Sequence, residues 1–203
     1  MEIVPLIYVK NKKIIGGLES RIISLDDLLD ITDEKIYLKD IDGIEKNKPN
    51  LNLYQKLSET RKLWIDAGPR VLGDIVDLVM AGGGSLTIQM ELFASKDVSA
   101  VKEVTECDVY IGIREEQLER DFSPLSPDDM MGAVVYANKN TEHIEFYADV
   151  VKGFLKRCKK RVYVAGATEK TATHWKELGA YGLIVELEAM RKTGREYKWK
   201  KRK

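Results

Sequence analysis

Polar side chains able to bind or transfer ions recur at the ends of short apolar runs: Lys10, Asp40, Asp42, Asp66, Arg70, Gln89, Arg114, Asn138, Thr168 and Glu186. Asp40 and Asp42 are the best-placed pair. Spaced by two, they project from one face if their strand stays extended. Either can orient a substrate hydroxyl or, with Glu91 or Glu186, bind a hard cation. The alternative for Asp42, ahead of Gly43, is an ordinary turn aspartate. Asp66 closes another apolar run and is the third candidate catalytic acid. Arg70 carries a planar fork suited to an anion, or to an ion pair with Asp74 one helical turn on. Lys39 directly precedes Asp40 and is expected on the opposite side, between strand and helix, where paired burial is the plain reading and a Schiff-base lysine the lesser alternative. His143 and His174 fall in helical stretches and read as surface or packing residues. Cys107 and Cys158 lack metal-ligand spacing and read as reduced thiols. No resident metal or cofactor is expected.

Such residues need elements to hold them. Eight apolar runs read as strands: Ile3–Val9, Lys35–Lys39, Lys62–Asp66, Ser85–Gln89, Asp108–Ile113, Ala133–Ala137, Arg161–Ala165 and Tyr181–Glu186. They are rich in Val, Ile, Leu and Tyr without clean alternation, as strands buried on both faces are. Helical patterns lie between them at Ser24–Leu29, Leu51–Glu59, Val71–Met80, Val98–Thr105, the short Ser126-Pro127 start, Thr141–Cys158 and Thr171–Leu178. The Gly82–Gly84 cluster is placed to cap the third helix. Eight strand–helix units are the number that closes a parallel barrel, which puts chemistry at the C-terminal strand ends. The expected fold is therefore α/β, a compact (β/α)8 TIM barrel.

An internal echo favours the barrel. Trp64-Ile65-Asp66-Ala67-Gly68 is matched by Tyr163-Val164-Ala165-Gly166, and Gly82–Glu91 by Gly179–Glu188, at an offset of about half the chain. Two fused half-barrels would repeat in this way. The rival, an open doubly wound sheet, announces itself by a glycine-rich phosphate loop after its first strand. Here Val9–Gly17 follows that strand and reads as a β-extension with a turn.

The 203 residues and 44% hydrophobic content suit one domain, residues 1–190, with a basic tail over 191–203. That tail holds eight Lys/Arg and one Glu, which leaves the remainder net acidic although the whole chain is neutral. A basic tail is able to touch an acidic partner. The acidic body opposes nucleic acid, which is not an expected partner. Neither end carries a signal or lipidation pattern, and no apolar run spans a bilayer, so a cytoplasmic protein without membrane contact is expected.

Lys39-Asp40-Ile41-Asp42-Gly43-Ile44, followed by Asn47-Lys48-Pro49-Asn50-Leu51, resembles the second strand and loop of the HisA/HisF family, barrel enzymes of histidine biosynthesis. The opening Ile3–Lys10 is similar to that family's first strand, and Ala67-Gly68-Pro69-Arg70 falls where the family has a glycine-rich turn after strand three. The resemblance runs with gaps to about residue 190 and implies a TIM barrel of the ribulose-phosphate-binding type. It also implies an isomerase whose two aspartates, on strands one and five, act as general acid and base. Those positions here are Tyr8 and about Gly112. A phenol of pKa near ~10 is a poor base and glycine offers no proton. The family's phosphate-binding glycines on strands four and eight are replaced by Gln89 and Glu186, and strand seven keeps only Gly166 before Ala167-Thr168.

The sequence thus points to a HisA/HisF-like protein that has lost the parent isomerase activity. Its expected role is a small-molecule enzyme of isomerase or lyase type, acting on a polar metabolite with at most one phosphate. Asp40, Asp42 and Asp66 are the expected catalytic acids. Lys10, Gly68, Arg70, Gln89, Arg114, Asn138, Gly166, Thr168 and Glu186 are the expected binding residues. A non-catalytic ligand-binding or assembly protein on a decayed barrel is the alternative, and oligomerisation is left open.

Overall fold

The computed structural model describes residues 1–17, 22–24, 28, 35–93, 100–114, 117–118, 130–137, 144–158 and 160–192. The tail beyond residue 192, Asn138, His143 and the Ser126-Pro127 helix start lie outside the described residues.

Eight parallel strands form a closed ring: β1 (Glu2–Lys10), β4 (Lys35–Asp40), β5 (Lys62–Asp66), β6 (Gly83–Gln89), β7 (Asp108–Arg114), β8 (Gly132–Tyr136), β9 (Arg161–Ala165) and β10 (Gly182–Glu186). Each pairs with its sequence neighbour in the ring, and β10 closes on β1 through Glu2–Gly182 to Leu6–Glu186. Helices α1 (Ile41–Lys46) and α2 (Leu51–Ser58) follow β4, and α3 (Leu72–Met80) follows β5. Then α4 (Val101–Val104), α5 (Ile144–Arg157), α6 (Glu169–Glu177) and α7 (Leu187–Lys192) follow β6, β8, β9 and β10. The chain is an α/β barrel. Among the described residues no helix is long and apolar enough to cross a membrane.

The strand register closes with a definite stagger. Leu6, Tyr37, Trp64, Ser85 and Asp108 lie in one row. Tyr110, Gly132 and Arg161 form a row two residues higher, and Tyr163, Gly182 and Glu2 one two higher again. Within β1, Glu2 is four residues before Leu6, whereas round the ring it is level with a row four residues beyond it. The ring therefore closes with a stagger of eight residues, which tilts the strands and leaves an interior that side chains can fill.

Two cores follow from strand alternation. Val4, Leu6, Tyr8, Tyr37, Trp64, Tyr110, Val134, Tyr163, Ala165 and Ile184 fill the interior. Ile7, Val9, Ile36, Leu38, Ile65, Ile88, Ile111 and Val164 face the helices. The interior is largely aromatic: Trp64 packs at a tilt against Tyr110 at 4.2 Å between centroids and meets Tyr37 and Tyr163 edge-on at 5.2 and 4.8 Å. Trp64 and Tyr163 are the partners in the sequence echo, and here they touch across the barrel. Gly68 and Gly166, also paired in the echo, both have positive φ (64° and 88°).

Beyond the ring, β1 runs into β2 (Lys13–Ile15) as an antiparallel hairpin, and β2 pairs with β3 (Ile22–Ile23). Asn11 and Lys12 both take positive φ, the two-residue turn that matches strand twist. The expected β-extension is thus present. Gly82 (φ 98°) turns the chain from α3 into β6, as the glycine cluster predicts.

Candidate functional site

One local fold changes the expected site. The strand β4 does not stay extended through Asp42; it ends at Asp40, which caps α1. Asp40 Oδ1 accepts the N–H groups of Asp42 (2.9 Å) and Gly43 (3.1 Å). Its Oδ2 accepts Asn50 N–H (2.8 Å), the Asn50 side-chain amide (2.9 Å) and the Tyr54 hydroxyl. Asp40 is fully buried and points toward the helices, like Ile36 and Leu38 on the same face. Asp42 sits in the first turn of α1 and pairs with Lys46 at 2.8 Å. That bond, first among several, lowers its pKa below the usual carboxylate range. The pair read as two parallel acids is therefore a helix corner. Gly43 is required there, since a Cβ would lie 2.5 Å from Ala67 O. Asn47, in the left-handed region (φ 54°), ends α1.

Parity reverses for Lys39. The sequence places it between strand and helix, yet it shares the interior face of β4 with Tyr37 and is level with Tyr8 and Asp66. The reason is that strands buried on both faces show no polar side to count from.

The residues gathered at the C-terminal mouth are Tyr8, Lys39, Asp66, Gln89, Gly112, Tyr136 and Glu186, one from each of seven strands. Asp66 is their centre. Its Oδ2 accepts the hydroxyls of Tyr136 (2.7 Å) and Tyr37 (3.0 Å), and its Oδ1 accepts the Gln89 side-chain amide (2.8 Å). Thr87 Oγ1 lies 3.3 Å from the Tyr37 hydroxyl and accepts Trp64 Nε1–H at 2.9 Å. Lys39 Nζ stands 3.8 Å from Asp66 Oδ2 and 3.9 Å from the centroid of the Tyr136 ring. On the adjoining strands β1 and β10 the Tyr8 hydroxyl donates to Glu186 Oε1 at 2.7 Å.

Burial governs the protons. It raises the pKa values of Tyr37 and Tyr136 well above that of a free phenol, with the Asp66 charge second in each case. Burial and the Glu186 hydrogen bond raise Tyr8. Burial lowers Lys39, opposed by the neighbouring Asp66 charge. All three phenols are hydrogen-bond donors at neutral pH, and Lys39 holds its proton less tightly than a lysine in water.

The other expected residues divide. Gln89 and Glu186 belong to the mouth. Arg114 is at its rim, paired with Glu91 at 2.9 Å. Lys10 is exposed at the end of β1. Arg70 braces the corner rather than facing the axis: its Nη1 donates to Gly68 O and Asn47 Oδ1, and its Nη2 to Ile44 O. A Cβ at Gly68 would meet Leu92 and Ile44. Thr168 is exposed and caps α6, its N–H donating to Thr171 Oγ1.

Backbone donors at several strand ends are occupied by protein acceptors. Leu92 and Phe93 N–H donate to Gln89 O, Gly166 N–H to Ile184 O, and Glu188 N–H to Gly16 O. Sequence reasoning missed Tyr37, Thr87 and Tyr136, because a tyrosine or threonine inside an apolar run carries no sign of a polar task. The usable signal was the Trp64–Asp66 spacing of two, which ties Asp66 to the aromatic interior.

Fold and site together define an α/β barrel with a tyrosine-bound carboxylate and an adjacent amine at its mouth. Comparisons with protein-family models and with curated proteins find no match to this chain.

Proposed function

We propose that this chain is a small-molecule enzyme on a TIM barrel of the ribulose-phosphate-binding type, related to HisA/HisF, without the parent two-aspartate isomerase chemistry. The observation that carries this reading is the mouth cluster: a carboxylate, an amine and two phenols brought together by β4, β5 and β8. Proton donors and acceptors assembled from separate strand ends are what catalysis in a barrel needs. The stagger of eight residues supports the TIM type. Loss of the isomerase chemistry is supported by the Tyr8–Glu186 hydrogen bond and by Tyr136 over Gly112, which fill the two inherited acid positions. Occupied backbone donors after β6 and β9 argue against two phosphates and for a polar substrate with at most one. The reading takes the enzyme to be cytoplasmic, of isomerase or lyase type.

Two experiments test it. Expression in a histidine auxotroph lacking the isomerase gives no growth; growth would restore the parent activity to this chain. Ligand-observed NMR of the full chain with a panel of aldose and ketose phosphates shows binding that D66N weakens at least tenfold.

Burial favours one second reading, a non-catalytic binding or assembly protein on a decayed barrel. Asp66 is 0% exposed and Tyr8 5%, so the axis is largely filled. Silence across the whole ligand panel, together with a stable oligomer in light scattering, selects it.

A further inference from the structure

We propose that Lys39 is a covalent anchor: its ε-amine condenses with an aldehyde or ketone at the barrel mouth to form an imine. The inference rests on reading the mouth as a small-molecule site.

The argument begins with what Asp66 does not need. Its two oxygens already accept three hydrogen bonds, from Tyr37, Tyr136 and Gln89. Lys39 Nζ lies 3.8 Å away, close enough for charge attraction and too far for a hydrogen bond. Among the described residues no acceptor lies within hydrogen-bond reach of that nitrogen. A buried amine that served only to neutralise the acid would close on it. This one instead stands over the face of Tyr136. Its side chain is 23% exposed, whereas Asp66 behind it is 0% exposed, so a solute entering from the mouth meets the amine first. Lys39 is also held on a strand, level with its neighbours Tyr8 and Asp66, which fixes the direction of approach. Burial favours the neutral, nucleophilic amine.

The step balances without any further reagent. The ammonium first gives a proton to solvent. The nitrogen lone pair then forms a bond to the carbonyl carbon, and the carbonyl oxygen takes up a proton to give the carbinolamine. Loss of the second N–H proton and of the hydroxyl as water leaves the carbon–nitrogen double bond. One water leaves for each imine formed, and no electron changes hands. The Asp66 charge stabilises the protonated imine, as it does the ammonium.

Borohydride trapping tests this on the full chain. Glyceraldehyde 3-phosphate, dihydroxyacetone phosphate and pyruvate are each incubated with the protein, reduced with sodium borohydride and analysed by intact mass and peptide mapping. The expected product is one adduct, on the Lys39 peptide, formed at least tenfold faster than on any other lysine. The K39R variant keeps the charge and loses the adduct, with circular dichroism confirming its fold; K39M is the second control. Labelling spread over surface lysines and unchanged in K39R overturns the proposal. A probe that binds in ligand-observed NMR but leaves no Lys39 adduct also overturns it, while sparing the small-molecule reading. Failure of every probe to bind or react overturns both.

Discussion

The Tyr136 hydroxyl occupies the space that any side chain at Gly112 would enter: a Cβ built on Gly112 lies 2.7 Å from that oxygen and 3.0 Å from Tyr136 Cε2. The two residues sit on adjacent strands, and the same hydroxyl donates to Asp66 at 2.7 Å. The bare glycine on β7 and the buried acid on β5 are thus two sides of one arrangement.

The Gly112–Tyr136 relationship is open to a double-mutant cycle. Gly112→Ala should cost about 1–3 kcal/mol by overpacking. Tyr136→Phe removes one donor from buried Asp66, at about 1–3 kcal/mol. Because both act on one contact, the double variant should lose less than the sum, by about 0.5 kcal/mol or more. Urea denaturation of the four proteins measures it; strict additivity would show that the two sites are independent.

Asp40 should behave as a structural acid. Asp40→Ala strips the acceptor from two α1 N–H groups, the Asn50 backbone and amide, and the Tyr54 hydroxyl. A loss of about 3–5 kcal/mol is expected, as for breaking a buried charged network. Lys39 borohydride labelling, scored on the fraction that remains folded, should be unchanged. Labelling that falls while the fold holds would move Asp40 into the site.

The buried phenols set the alkaline limit. Tyr8, Tyr37, Tyr54, Tyr110, Tyr136 and Tyr163 all have folded pKa values raised, with burial the leading cause. For such groups the stabilisation is complete below the unfolded value near ~10 and is lost as pH rises toward the folded value. Absorbance at the tyrosinate band should therefore show these six still protonated where a free phenol has ionised, then ionising together as the protein unfolds. Independent, reversible titration of most tyrosines near pH ~10 would contradict the buried network.

Acid has the opposite sign at Asp42. Its folded pKa is lowered, chiefly by the Lys46 hydrogen bond. The stabilisation is present above the unfolded value near ~3.9 and fades as pH falls toward the folded one. D42N should flatten the loss of stability below pH ~4 relative to the wild type. Thermal melts between pH ~2.5 and ~7 check this, and identical acid limbs would remove Asp42 from the account.

Much of the architecture is legible from local chemistry. The runs Lys62–Asp66 and Arg161–Ala165 are read to the residue, and the other six ring strands to within two. A buried parallel strand must be short, apolar and bounded by polar or glycine residues, and each of those demands is written locally. That Tyr8 and Gly112 carry no carboxylate is equally local. Which way each strand end faces is not local. Lys39 and Asp40 exchange their expected sides because interior and helix-facing positions are both apolar, so alternation gives no phase. Asp42 leaves the strand because Asp40 finds acceptor work at Asn50 and Tyr54, ten and fourteen residues on. The mouth cluster is more distant still: Lys39, Asp66 and Tyr136 meet only when the ring closes with its stagger of eight residues. Sequence determined the staves; tertiary closure decided the neighbours of Asp66, because a contact between separate strands depends on register, which no single segment encodes.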